Sequence, residues 1–459
     1  MKKVDLILKG KIFLPSGLIE ANIGIEEGKI VAISKLDDLI HGDKKIKLND
    51  EEVVIPGVID AHTHIRGMGR SDWEDFYTGS MAAAAGGVTT IFEMPITLPS
   101  TSTATALEEK IKQASKQSIV NFAFHGAGGF ESIPEIPKMA SIGAISFKIF
   151  MHPPPPGRED EFKGLYVEDD SQLFESLATI KETGKVAYIH AENHVLSEYF
   201  KRKQIESGGR DLIAYMKSKP SITESEAINR VSLLTSYINA KIHIAHVSSK
   251  ESIEILDFLK KKGIKITAET APHYLHFTID QIKHLGPYAK VNPPIRFKED
   301  RLALWNAIST GVIDIVASDH AAYPKDVKEV GEADIWKAYM GVPGIECLVP
   351  IVLDGVNKDL ITFERAIEVL STNVAKIFGL YPNKGVIAVG SDADLTIIKL
   401  KEERILRASE FYTKAREIAL LYDNVKVIGI PTMTIVNGEI VMENGEVIGK
   451  SGIGRFIKV

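Results

Sequence analysis

The chain has 459 residues, 44% of them hydrophobic, and a formal net charge of −6. That length suits one barrel-sized domain plus a smaller one, and the charge gives no basic footprint for nucleic acid. The single cysteine, Cys347, excludes an intrachain disulfide framework and fits a reducing compartment, so a metal site would need His, Asp, Glu or a modified side chain.

The first residues lack the apolar core and cleavage site of a signal peptide. No apolar run reaches bilayer-spanning length. The expectation is a cytoplasmic protein with no membrane partner. Short strands are predicted over residues 4–8, 21–25 and 30–33, separated by the turn signals Lys9-Gly10 and Glu27-Gly28-Lys29. An apolar β-forming run over residues 53–59 follows and ends in His62-Thr63-His64. Those two histidines alternate along the strand and so project to one side. Two readings stay open there: a pair of metal ligands, or two histidines at a strand end.

Further strands are predicted over residues 89–94, 121–124, 144–149, 186–189, 241–245, 265–269 and 313–317. Amphipathic helical stretches lie between them at 106–116, 171–183, 223–238 and 252–261. Strand–helix alternation at this length predicts a parallel sheet closed into a (β/α)8 barrel. The rival, an open doubly wound sheet, lacks its Gly-x-Gly-x-x-Gly turn after an early strand. Past the barrel, strands are expected at 393–400, 425–430, 432–436 and 440–442, with Asn437-Gly438 as a type I′ hairpin turn. The two β-rich ends should pair into one small composite domain, 1–55 with 386–459, leaving 56–385 as the barrel.

In a barrel, functional groups gather at the C-terminal ends of the strands. Read that way, five strands carry a residue able to bind metal or move protons: His62 with His64, then Lys148, His190, His246 and Asp319. Each also has a plain reading, as a hydrogen-bonded loop histidine or, for Asp319, a helix cap. Lys148 sits between Phe147 and Ile149, and burying an unpaired ammonium is costly. Burial lowers a lysine pKa, and a neutral amine can add carbon dioxide to become a carboxylate-like carbamate.

The segments Pro56-Gly57-Val58-Ile59-Asp60-Ala61-His62-Thr63-His64, Phe147-Lys148-Ile149, His190-Ala191-Glu192-Asn193, His246-Val247-Ser248-Ser249 and Ser318-Asp319-His320 resemble the amidohydrolase superfamily. The likeness is to its cyclic amidohydrolase branch of allantoinases, dihydroorotases and hydantoinases, and it spans the whole chain. It implies a TIM-like barrel with a β-sandwich formed by both termini, and a hydrolase opening a cyclic amide. It also implies a centre of two divalent ions, usually Zn2+. His62, His64 and Asp319 would hold one ion, His190 and His246 the other, and carboxylated Lys148 would bridge them. Asp319 would act as general base and then general acid. The branch commonly forms homodimers or homotetramers.

The substrate-side motifs point in different directions. Arg66 and Asn292 resemble the dihydroorotase pattern, in which such residues contact the substrate and an arginine meets its carboxylate. Ile96 and Tyr323 depart from it. The segments at 71–79 and 269–275 resemble allantoinases, and the run His152-Pro-Pro-Pro-Pro-Gly157 stands where hydantoinases carry a tyrosine. An allantoinase-like reaction on a small cyclic ureide is the leading expectation, followed by dihydroorotase and then hydantoinase or dihydropyrimidinase. Two other classes are a metal-free scaffold homologue, which would have lost ligand positions this chain keeps, and a mononuclear deaminase-type member, against which Lys148 speaks. His125 is expected in a loop, His243 facing a helix, and Cys347 as a small buried apolar residue.

Overall fold

The computed structural model describes residues 3–36 and 40–459. Two nine-stranded sheets organise it. The first joins the two ends of the chain. From the N-terminal side come β1 (Lys3–Leu14), β2 (Gly17–Glu26), β3 (Lys29–Ser34), β4 (His41–Lys47) and β5 (Glu52–Pro56). The next nine strands, beginning with β6 (Val58–His64), belong to the second sheet, and β15 (Leu395–Ile405), β16 (Lys426–Val436), β17 (Glu439–Glu443) and β18 (Glu446–Val447) return to the first. The order is β18-β17-β16-β15-β5-β1-β2-β3, with β4 parallel to β1. Leu8, Ile12, Ile23, Ile397 and Ile435 form a core of their own on this sheet.

The strands expected at 425–430 and 432–436 are one continuous element, β16, and Pro431 does not break it. The register jumps between Ile397, opposite Met433, and Ile398, opposite Pro431. That bulge absorbs Thr432, and bulges are among the few places a sheet tolerates proline. Asn437 and Gly438 both have positive φ, +52° and +83°, as a type I′ turn requires.

The second sheet is parallel throughout. β6 is followed by β7 (Val88–Glu93), β8 (Asn121–Ala127), β9 (Ser146–Phe150), β10 (Val186–His190), β11 (Ile242–Ile244) and β12 (Ile266–Thr270). The eighth strand is split into β13 (Ile315–Val316), which pairs with β12, and β14 (His320–Ala321), which pairs with β6. The sequence suggests a single strand over 313–317. Instead the backbone turns at Asp319, at φ +49°, and the strand closes the ring in two short pieces.

Both faces of the barrel strands are buried: helices cover the outside, and side chains such as Ile59, Phe92, Tyr188 and Phe378 fill the inside. β5 runs into β6 through Gly57, whose N–H donates to Asp394 O at 2.8 Å. A Cβ there would lie 2.4 Å from Thr89 Oγ1, so only glycine lets the two sheets meet this closely. At the other end of the chain, Arg455 O accepts from Phe122 N and Ile457 N donates to Phe122 O, which ties the tail to the start of β8.

Candidate active site at the barrel mouth

The strand ends deliver their polar residues to one pocket. His62 and His64 alternate on β6, and their Nε2 atoms lie 3.2 and 3.4 Å from Asp319 Oδ1. Asp319 reaches them from the break in the eighth strand. His190 ends β10, and its Nδ1 is 2.9 Å from Nε2 of His246, just past β11. Arg66, His246 and Asp319 have φ of +60°, +37° and +49°. Left-handed backbone is unfavourable for such residues and clusters at functional sites. Here it marks the places where the chain bends to aim a side chain inward.

Lys148 projects from the middle of β9, fully buried. Its Nζ lies over the rings of Tyr188 and Phe150, at 4.7 and 5.2 Å, and no group hydrogen-bonds it among the described residues. Burial is the main reason its pKa falls, to about 8. The histidines are held neutral by the same cause. Burial brings His62 to about 4 and His190 to about 3, and places His64 and His246 well below the usual value. Burial pushes the Asp319 carboxyl well up, with the Lys148 charge opposing it.

Partners behind these residues fix which atoms face the pocket. Glu269, at the end of β12, accepts from His62 Nδ1 at 2.6 Å, which leaves His62 Nε2 as the lone-pair nitrogen toward Asp319. Burial alone would raise the Glu269 pKa, but His62 and His243 hold it well below the carboxylate range. Glu192 plays a similar part on the other side. It faces His190 Nε2 at 3.1 Å, takes a bond from Asn292 Nδ2 at 2.9 Å, and pairs with Lys219. With that nitrogen as the donor, His190 Nδ1 presents its lone pair to His246.

This arrangement suits cations. His62, His64 and Asp319 bring ligand atoms close enough to hold a metal ion, and neutral imidazoles are the ligating form. The orphaned Lys148 amine stands beside them, where a carbamate could satisfy it. A second group, His152, His190 and Glu192, also has converging ligand atoms. The sequence does not single it out as a group, since His152 opens a proline run and Glu192 is marked only as a neighbour of His190.

His62, His64, Lys148, His190, His246 and Asp319 all line one pocket, together with Arg66 and Asn292. The two proposed substrate contacts already have protein partners. Arg66 donates to Ile96 O at 3.2 Å and Tyr323 Oη at 2.7 Å, and Asn292 donates to Glu192. Arg158, Phe162 and Met340 complete the wall. Two other expectations fail. His125 is not in a loop but in β8, inside the barrel, bonded to Ala61 O and Ser146 Oγ. His243 does not face a helix: its Nε2 lies 3.3 Å from Glu269 inside the barrel, and its ring packs on Tyr188. On an all-buried strand, apolar neighbours do not tell inside from outside. Cys347 is fully buried, as expected.

Comparison with known proteins agrees with this geometry. The model of the Amidohydrolase family matches residues 53–441. The chain is 38% identical over 456 residues to an L-hydantoinase of Paenarthrobacter aurescens, covering 99% of this chain and 98% of that one. It is 33% identical over 460 residues to an allantoinase of Bacillus licheniformis, covering 99% of each. The solved structure of an L-hydantoinase (dihydropyrimidinase) from Arthrobacter aurescens superposes with a TM-score of 0.93 at 37% identity, covering 99% of this chain and 100% of that one. A barrel closed through Asp319, five strands bringing polar side chains to one pocket and matches along the whole chain lead to one conclusion: the protein belongs to the amidohydrolase family, in its cyclic amidohydrolase branch.

Proposed function

We propose that the protein hydrolyses a ring amide of a hydantoin, using two divalent metal ions, zinc by the habit of the family, and a carboxylated Lys148. The observation that carries this reading is the gathering of neutral imidazoles and the Asp319 carboxyl around the unpartnered Lys148 amine. His62, His64 and Asp319 would hold one ion, His190 and His246 the other, with Lys148 between them. Carboxylation forms a bond from the neutral lysine nitrogen to carbon dioxide and releases one proton. Ions held there supply positive charge that polarises a carbonyl and acidifies water.

The chain's own residues account for the proton. As water adds to the ring carbonyl, Asp319 takes its proton; as the carbon–nitrogen bond breaks, Asp319 hands that proton to the departing nitrogen. Glu269 and Glu192 keep His62 and His190 in the required orientation. Phe150 and Phe162 exclude water from one side of the pocket.

The names of the relatives support this ring. A hydantoinase acts on hydantoins, and allantoin is itself a hydantoin bearing a ureido substituent. An allantoinase-like reaction is therefore one case of the proposed class. A dihydroorotase reaction has less support, since the guanidinium of Arg66 is engaged by Ile96 and Tyr323. The test is turnover by zinc-loaded protein of hydantoin, allantoin, dihydrouracil and dihydroorotate. Ring opening of a hydantoin is expected. Turnover of dihydroorotate alone would refute the assignment.

A further inference from the structure

One wall of the pocket is built around a single carboxylate shared by arginines. Glu161 is buried and lies 3.5 Å from Arg66 Nη1 and 3.7 Å from Arg70 Nη2. It also accepts from Arg158 Nε at 3.0 Å and from Arg158 Nη2. Arg66 and Arg158 are 1% and 7% exposed, whereas Arg70 is partly solvated. Glu159 and Asp160, on the same loop, are exposed to solvent. Around Glu161 two buried guanidiniums share one carboxylate, and the other buried carboxyl of the pocket, Asp319, sits among the imidazoles. An excess buried positive charge is costly unless an anion meets it.

The two arginines are not equally free to meet one. Arg66 donates to Ile96 O and Tyr323. Arg158 turns one edge to Glu161, and among the described residues its Nη1 has no acceptor. The rings of Phe162 and Tyr339, at 5.2 and 5.0 Å, hold its guanidinium in place. Arg158 lines the catalytic pocket and also an adjoining cavity of about 680 Å3. That cavity carries Lys201 and Lys219, each paired with a carboxylate, Glu198 and Glu192, and shares His152, Pro155 and Met340 with the pocket, so Arg158 is the buried cation there with a free edge among the described residues.

We propose that Arg158 is a specificity-determining residue that binds a carboxylate at the end of the ring substituent, so that the preferred substrate is a hydantoin with a short acidic side chain. This rests on the ring-opening reading above and names the substituent it favours. Phe150 and Phe162 would flank the aliphatic stem, and the free Nη1 would take the carboxylate. A planar guanidinium held in place suits that contact better than a flexible ammonium.

The test compares 5-(2-carboxyethyl)hydantoin with its neutral, nearly isosteric carboxamide, 5-(2-carbamoylethyl)hydantoin. Zinc-loaded wild-type protein should favour the acid by about 10- to 100-fold in kcat/KM, the scale of a hydrogen bond to a charged group. In Arg158→Gln that ratio should fall to near one, mainly through KM, and Arg158→Lys should recover part of it. Calorimetric titration of the open-chain products, N-carbamoylglutamate and N-carbamoylglutamine, should show the same preference without turnover. Equal use of both rings by the wild type, or a ratio unchanged in Arg158→Gln, overturns the proposal and leaves ring opening standing. If neither ring opens, the ring assignment fails, and the product titration alone decides for or against Arg158.

Discussion

Asp319→Asn should lower turnover by about 10²- to 10⁴-fold, the range associated with losing a positioned general acid–base group. The prediction follows from geometry. Asp319 Oδ1 lies within 3.4 Å of both His62 Nε2 and His64 Nε2, and all three residues line the pocket. Asparagine keeps an oxygen at that place and nearly the same volume, so the turn at φ +49° should persist and much of the metal should stay bound. What it loses is the ability to accept a proton and return it. Turnover measured alongside metal content separates the two effects. Comparable turnover in the variant would remove Asp319 from the proton-transfer role.

Lys148→Ala should cost metal content first and turnover with it, by at least about 10²-fold, the scale of losing a preorganised electrostatic group. Short carboxylic acids should restore part of both, because the gap left by the side chain lies in the pocket that the imidazoles line. The stability of the metal-free protein should move the other way. Lys148 Nζ is buried with no hydrogen-bond partner among the described residues, and burial lowers its pKa from 10.5 to about 8. A lysine whose folded pKa is depressed destabilises the fold below the unfolded value, where the unfolded chain binds the extra proton. Stability of the metal-free wild type should therefore rise with pH between about 8 and 10.5, and Lys148→Ala should flatten that rise. Thermal unfolding across the pH range, with a chelator present, reads it. A variant that keeps full metal content would contradict the bridging role.

The fold and the gathering of the polar side chains at one pocket were legible because they rest on local signals. Apolar runs punctuated by turns marked the strands; His62, His190, His246 and Asp319 each stand at or near the end of one, and Lys148 stands within one between apolar neighbours. The alternation of His62 and His64 needed nothing beyond the period of a strand. What was not legible depends on partners distant in sequence. Glu269 reaches His62 across 207 residues, and nothing around it distinguishes a residue that orients a ligand from one that ends a strand. His125 and His243 were misplaced for a related reason: both faces of a barrel strand are buried, so apolar neighbours carry no information about which side is inside. The cluster of Arg66, Arg158 and Glu161 exists only once loops from two parts of the chain meet over the pocket. Pro431 reads as a strand breaker until the bulge opposite Ile397 and Ile398 is seen.

Metal analysis of the purified protein, before and after reconstitution with zinc, tests the central claim most directly. The account predicts about two ions per chain, with hydantoin-opening activity rising in step with occupancy. A chain that binds none after reconstitution, while folded, would contradict it and favour a scaffold built on the same barrel.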